Sequence, residues 1–91
     1  MSYRVRFHSS AARDLASPKI PRAVADSVLM FAQTALAEEP ARVGKPLHEP
    51  YLGLWSARRG DFRIIYEIDF GAETVLVRAV NHRADAYRPR S

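Results

Sequence analysis

Three arginines stand close together in the stretch WSARRGDFRIIY, residues 55–66: Arg58, Arg59 and Arg63. Glycine takes the first loop position of a two-residue type II′ hairpin, so Gly60-Asp61 is the natural loop. Counting outward, Arg59 faces Phe62, Arg58 faces Arg63, Ala57 faces Ile64, Ser56 faces Ile65 and Trp55 faces Tyr66. Phe62, Ile64, Tyr66 and Ile68 then share the face expected to be core, while Arg63, Ile65, Glu67, Arg58 and Ser56 share the other. Two guanidiniums directly opposed across an antiparallel pair repel one another, and folding does not need them there. A bound anion accounts for them, a phosphodiester above all, because the guanidinium fork binds it in bidentate fashion. The alternatives are a solvated hairpin with its charges splayed apart, or a loop shifted by one residue, which would pair Arg58 with Asp61 and remove the clash.

A second group lies in VNHRADAY, residues 80–87, with an imidazole (His82), another guanidinium (Arg83) and a phenol (Tyr87). Arg83 and Tyr87 are four apart, so a helical turn would put them on one side. A histidine at a strand end is usually structural, and a tyrosine near a C-terminus is usually a packing lid. Taken with the arginine pair, these residue types suffice for RNA cleavage without a metal. A base takes the 2′-OH proton, guanidiniums neutralise the phosphorane, and an acid protonates the leaving 5′-oxygen. Arginine is nearly always protonated and makes a poor base.

Positioning these groups is the task of the remaining chain. Tyr3, Val5 and Phe7 alternate with Arg4 and Arg6 as in a half-buried strand. Ser9 or Ser10 can cap a short helix, AARDLAS, that Pro18 stops. A second helix is expected from Pro21 to about Ala37, with Val24, Val28, Phe31, Ala32 and Leu36 on one stripe, and it ends before Pro40. Residues 40–52, with three prolines and a glycine, read as an ordered irregular crossover. Strands follow at about 53–59, 62–69 and 74–82, and the tail has helical composition as far as Tyr87 and frays after Pro89. The order strand, two helices, three strands predicts an α+β fold, with helices on one face of a small, largely antiparallel sheet. Val5, Phe7, Val24, Val28, Phe31, Leu36, Ile64, Tyr66 and Ile68 are the expected core, with Trp55 partly buried.

Ninety-one residues suit a single domain, residues 1–91, with one modest core. With no cysteine there is no disulfide framework or thiolate metal site, and no cofactor or metal is expected. The first ten residues, MSYRVRFHSS, are charged and alternating, unlike a signal peptide, and no apolar run is long enough for a membrane span. A cytoplasmic protein without membrane contact is expected. Formal net charge is +4 and twelve of the fourteen basic residues are arginine, which favours a polyanionic partner: nucleic acid or an acidic protein.

The strand–helix–helix–three-strand order, GKPL before the sheet, WSARRGDFRIIYEID and the terminal NHRADAY together resemble bacterial type II toxins of the RelE/ParE superfamily, most closely the RelE branch. The resemblance covers essentially the whole chain. It implies a fold like that of small microbial ribonucleases and a ribosome-dependent mRNA endoribonuclease. Such a toxin enters the ribosomal A site, cuts the codon and inhibits translation. A cognate RelB-like antitoxin would neutralise it, with DNA contacted only through the antitoxin complex. Carried over, Arg63 matches a strand arginine on the scissile phosphate, Arg83 a further phosphate-contacting arginine, and Tyr87 a tyrosine on the substrate base that takes part in proton transfer. Arg58 falls where the family has a basic residue, lysine in the best-known members. His82 corresponds to no required residue in the lysine-rich members, although other branches use a histidine near this point. Lys45, Arg59 and Arg88 are expected to be charges toward RNA or ribosome. The usual second-strand lysine pair is here Ser56 and Arg58, which leaves the base unassigned, with His82, Tyr87 or an incompletely held substrate 2′-OH as candidates. The other readings are a ParE-like toxin that poisons DNA gyrase, and a catalytically weak antitoxin-binding module.

Overall fold

The computed structural model of the chain describes residues 2–82. In chain order the elements are β1 (Arg4–Phe7), α1 (Ser9–Ala16), α2 (Arg22–Gln33), α3 (Ala35–Glu38), α4 (Pro40–Val43), β2 (Lys45–Pro46), β3 (Trp55–Arg59), β4 (Phe62–Asp69) and β5 (Thr74–His82). The strands form one sheet in the order β1-β5-β4-β3-β2, with β1 parallel to β5 and every other pair antiparallel. This is the expected α+β layering. Ala11, Val28, Phe31, Ala32 and Leu36 of the helices share one buried cluster with Ala57, Phe62, Ile64, Tyr66, Val75, Val77 and Val80 of the sheet. Val5, Phe7, Val24, Trp55 and Ile68 are half-buried against that cluster.

Three local expectations change. The single helix to Ala37 is broken at Thr34 (φ −116°, ψ −92°), whose hydroxyl donates to the Met30 carbonyl at 2.7 Å. A threonine that bonds back one turn offers the chain an alternative to the helical ladder. Leu36 and Ala37 are therefore buried from the separate turn α3. Residues 40–52, expected to be irregular, contain α4 and the two-residue strand β2. His8, and not a serine, caps α1, its Nδ1 accepting from the Ser10 N–H at 3.1 Å. The helical tail expected beyond His82 lies outside the described residues.

α1 has a second task. β1 ends opposite Val77, whereas β5 runs on to His82, so the second half of β5 would present a bare edge. The start of α1 covers it: His8 N–H donates to the Val77 carbonyl (2.8 Å) and Ser10 Oγ to the Arg78 carbonyl (2.7 Å). Asp14 Oδ2 accepts the Val80 N–H at 2.9 Å.

The crossover is locked to the sheet at Tyr66. Its ring is fully buried, and its hydroxyl donates to the Pro40 carbonyl at 2.6 Å. Gly44 passes directly over that hydroxyl, so a β-carbon there would collide with it and would lie 2.7 Å from the Ser56 carbonyl. Gly44→Ala should therefore cost about 1–3 kcal/mol through forced displacement of packed groups, with a matching fall in urea midpoint. An unchanged midpoint would show that the crossover can lift off the sheet freely.

Burial pushes the Tyr66 phenol up to about 12 from its ordinary 10.0. Because the folded value lies above the unfolded one, the neutral phenol contributes fully below pH 10. That contribution is lost as pH rises from 10 through 12. Two pK units correspond to about 3 kcal/mol. Denaturation at pH 9 and pH 12 should show this alkaline loss in the parent protein and its absence in Tyr66→Phe. Equal alkaline loss in both proteins would contradict the assignment.

Candidate active site

Gly60 opens the β3–β4 hairpin at φ +61°, and Asp61 is not left-handed, as a type II′ turn requires. The register follows: Trp55 with Tyr66, Ser56 with Ile65, Ala57 with Ile64, Arg58 with Arg63 and Arg59 with Phe62. Arg58 is thus paired with Arg63 and not with Asp61. The pair closing a two-residue hairpin exchanges both backbone hydrogen bonds. The next pair out, Arg58 with Arg63, is of the non-bonded kind, with Cα atoms about 4.5 Å apart. Ala57, Phe62, Ile64 and Tyr66 fill the core side, so both arginines lie on the sheet face away from the helices.

That open face is built in rows. Across β3, β4 and β5 runs Arg58–Arg63–Asn81, and beside it, starting from β2, runs Lys45–Ser56–Ile65–Ala79. Arg58 and Lys45 are exposed, while Arg63 is half-buried and its Nε is buried. Ser56 and Ile65 form a floor, 9% and 7% exposed. Arg4 and Arg6 of β1 pair with Thr74 and Leu76 and add charge at the far side. Arg78 is paired with Glu67 at 3.1 Å. Arg58 has no carboxylate partner among the described residues. The face is therefore a cationic surface on a floor of Ser56 and Ile65, suited to neutralising a phosphate and extending contacts along a polyanion.

Two expected members lie elsewhere. β4 and β5 slip register at Ile65/Tyr66: Tyr66 pairs with Val77 but Ile65 with Ala79, so Arg78 is an extra residue in β5. A bulge of this kind inverts the alternation beyond it. Val75 and Val77 point to the core, and after the bulge Val80 and His82 do so. His82 accordingly stands edge-to-face with Phe62, ring centroids 5.4 Å apart, on the helix side of the sheet. It is separated by the sheet from Arg58 and Arg63. Arg59 pairs with Phe62 and also turns to the helix side, its guanidinium carbon 4.9 Å from the centroid of Phe31. The same bulge brings Asn81 beside Arg63, a residue that alternation counted from Val75 assigns to the core. Arg83, Tyr87 and Arg88 lie outside the described residues. Among the described residues no three His, Asp or Glu side chains are grouped to hold a metal ion. No described helix is long and apolar enough to cross a membrane.

Comparison with known proteins places this geometry in context. Residues 5–87 match the family described as the ParE toxin of the type II toxin–antitoxin system parDE. The chain is 48% identical to the toxin RelG of Mycobacterium tuberculosis over 88 residues, covering 97% of this chain and 99% of that protein. It is 40% identical to the toxin RelE of the same organism, over 94% of this chain and 87% of that one. The crystal structure of the toxin–antitoxin complex RelBE2 from M. tuberculosis superposes with a TM-score of 0.85. That match has 44% identity and covers 91% of this chain and 100% of the other.

Proposed function

The chain belongs to the ParE toxin family of type II toxin–antitoxin systems, with Rel toxins among its relatives, and from that premise we propose that it is a ribosome-dependent mRNA endoribonuclease. The register-locked opposition of Arg58 and Arg63, on a face the core does not use, carries this reading. Residues 1–91 act as one toxin domain in the cytoplasm, enter the ribosomal A site and cut the codon there.

The substrate 2′-oxygen attacks the adjacent phosphorus, the bond to the 5′-oxygen breaks, and the ends are a 2′,3′-cyclic phosphate and a 5′-hydroxyl. Arg58, Arg63 and Arg83 hold the phosphate and neutralise the charge of the phosphorane. The proton leaves the 2′-OH and a proton reaches the 5′-oxygen without a metal. Tyr87 is the proposed proton-transfer group and base-stacking ring, since His82 faces the helix side. Arg88 and Lys45 are proposed contacts to RNA or ribosome, while Arg59, held over Phe31, is left out of that set. A RelB-like antitoxin neutralises the toxin, and DNA is met only through that complex.

The family name also keeps gyrase poisoning as a second reading. Induction in cells followed by primer extension separates the two. Cuts within translated codons support the ribonuclease. A DNA-damage response with intact mRNA would overturn it in favour of gyrase, and no effect on growth would leave only an antitoxin-binding module.

A further inference from the structure

The second half of β5 is held from outside the sheet, by side chains that no step of the proposed cleavage uses. The last bond from the β1 side is that of His8, whose N–H reaches the Val77 carbonyl at 2.8 Å. From there α1 takes over the edge: Ser10 Oγ donates to the Arg78 carbonyl at 2.7 Å, and Asp14 Oδ2 accepts the Val80 N–H at 2.9 Å. Asp14 is half-buried and forms no ion pair among the described residues, so the Val80 amide is what its carboxylate serves.

These bonds select a register. Carbonyls of successive residues in a regular strand point to opposite edges, yet Val77 and Arg78 both offer theirs to the α1 side. The bulge at Arg78 is what allows that. A ladder without the bulge keeps Tyr66 opposite Val77 and moves every later pair by one, so that Val80 meets Arg63 and Asn81 meets Phe62. In that ladder the Arg78 carbonyl and the Val80 N–H turn toward β4, away from Ser10 and Asp14. Both side chains therefore bond only to the bulged form, which the burial of Val80 also favours. The bulged form sets Asn81 beside Arg63 on the open face. It also fixes the point from which the chain continues to Arg83 and Tyr87. A slip would advance that point by about 3.4 Å, one residue of strand, and exchange the faces.

We propose that Asp14, assisted by Ser10, is a positioning residue for cleavage: it locks the β5 bulge and so aligns the end of β5 with the Arg58–Arg63 pair. The proposal rests on the ribonuclease reading and adds α1 to its machinery. Asp14 acts through the backbone of Val80 and touches neither substrate nor reacting atoms. A misplacement of about 1 Å in an active site can cost about 10²-fold in rate, and a slip of one residue is larger. The cleavage rate therefore reports the fraction of molecules in the bulged register.

The test is single-turnover cleavage of ribosome-bound mRNA, read together with hydrogen exchange at the Val80 amide and the Phe62–His82 ring contact by NMR. Asp14→Ala should lower the plateau rate about tenfold, with the half-saturating toxin concentration within about twofold of the parent, because the arginines of the open face still bind. Val80 should exchange about tenfold faster in that variant, and the Phe62–His82 contact should weaken. Asp14→Asn should restore the plateau rate to within about threefold of the parent, since its amide oxygen still accepts the Val80 N–H. Leu15→Ala removes core packing from the same helix and keeps both bonds, so below its melting temperature it should cut at the parental plateau rate. If Asp14→Ala does not fold, Ser10→Ala takes its place, with a loss of about threefold expected. A parental plateau rate in the variant used would overturn the positioning role and leave the ribonuclease standing. So would an equal loss in Leu15→Ala, or a loss with Val80 exchange and the ring contact unchanged. Intact mRNA with the parent protein would overturn the ribonuclease reading and the positioning role together.

Discussion

Arg63→Ala is expected to cut a programmed codon roughly 10²–10³-fold more slowly than the parent, the usual loss for one preorganised donor to a developing charge. On the proposed mechanism Arg58 would keep one guanidinium at the phosphate, so binding should persist while stabilisation of the phosphorane falls. The fold should be little affected, because Arg63 lies on the face away from the helices. Arg63→Lys should recover only part of the rate, since an ammonium keeps the charge and loses the bidentate fork. Tyr87→Phe tests the remaining chemistry: stacking survives that change, whereas proton transfer does not. Parental rates for both Arg63→Ala and Tyr87→Phe would place the chemistry elsewhere and reduce the open face to a basic surface.

Phe31→Ala should destabilise the protein by about 3–5 kcal/mol. The ring is 8% exposed, lies in the cluster that joins α2 to the sheet, and supports the Arg59 guanidinium on its accessible side. Truncation leaves a cavity bounded by regular elements that cannot easily collapse, and it removes the cation–π contact, itself worth about 0.5–1 kcal/mol near a surface. For a protein whose total stability is on the order of 5–10 kcal/mol, such a loss is close to unfolding. Phe31→Leu should lose much less, and Arg59→Ala no more than the cation–π contact. Chemical denaturation of the three variants checks the order. A parental curve for Phe31→Ala would mean that α2 packs through some other residue.

The positions of the largest predicted effects were legible in the sequence to different degrees. Gly60 fixes the turn because φ +61° suits glycine, and strand alternation then dictates that Arg58 meets Arg63. Both are local rules, a turn type and a period of two, so residues 55–66 contain all the information that the register needs. The helical stripe through Val28, Phe31 and Leu36 is local in the same sense, and these residues are buried as expected even though the helix breaks at Thr34. Membership of the toxin family was also legible, from the order of elements and from two motifs read together.

Tertiary structure decided which other groups join the arginines. Lys45 lies in a proline-rich crossover with no alternation to read, and it reaches the open face because β2 pairs with β3 across an intervening loop. The crossover that delivers β2 is tied to the sheet by the Tyr66 hydroxyl donating to the Pro40 carbonyl, a contact between residues remote in sequence, and Gly44 leaves room for it. His82 and Asn81 exchange faces because one extra residue, Arg78, is accommodated in β5, and nothing in the period of that strand announces it. The backbone of the bulge is stabilised from outside, by Ser10 of α1 bonding the Arg78 carbonyl and by Glu67 pairing the Arg78 side chain. Local pattern sets each strand's alternation and each turn's geometry. Where the alternation slips, and which edge a short strand joins, depends on contacts formed only when distant segments pack.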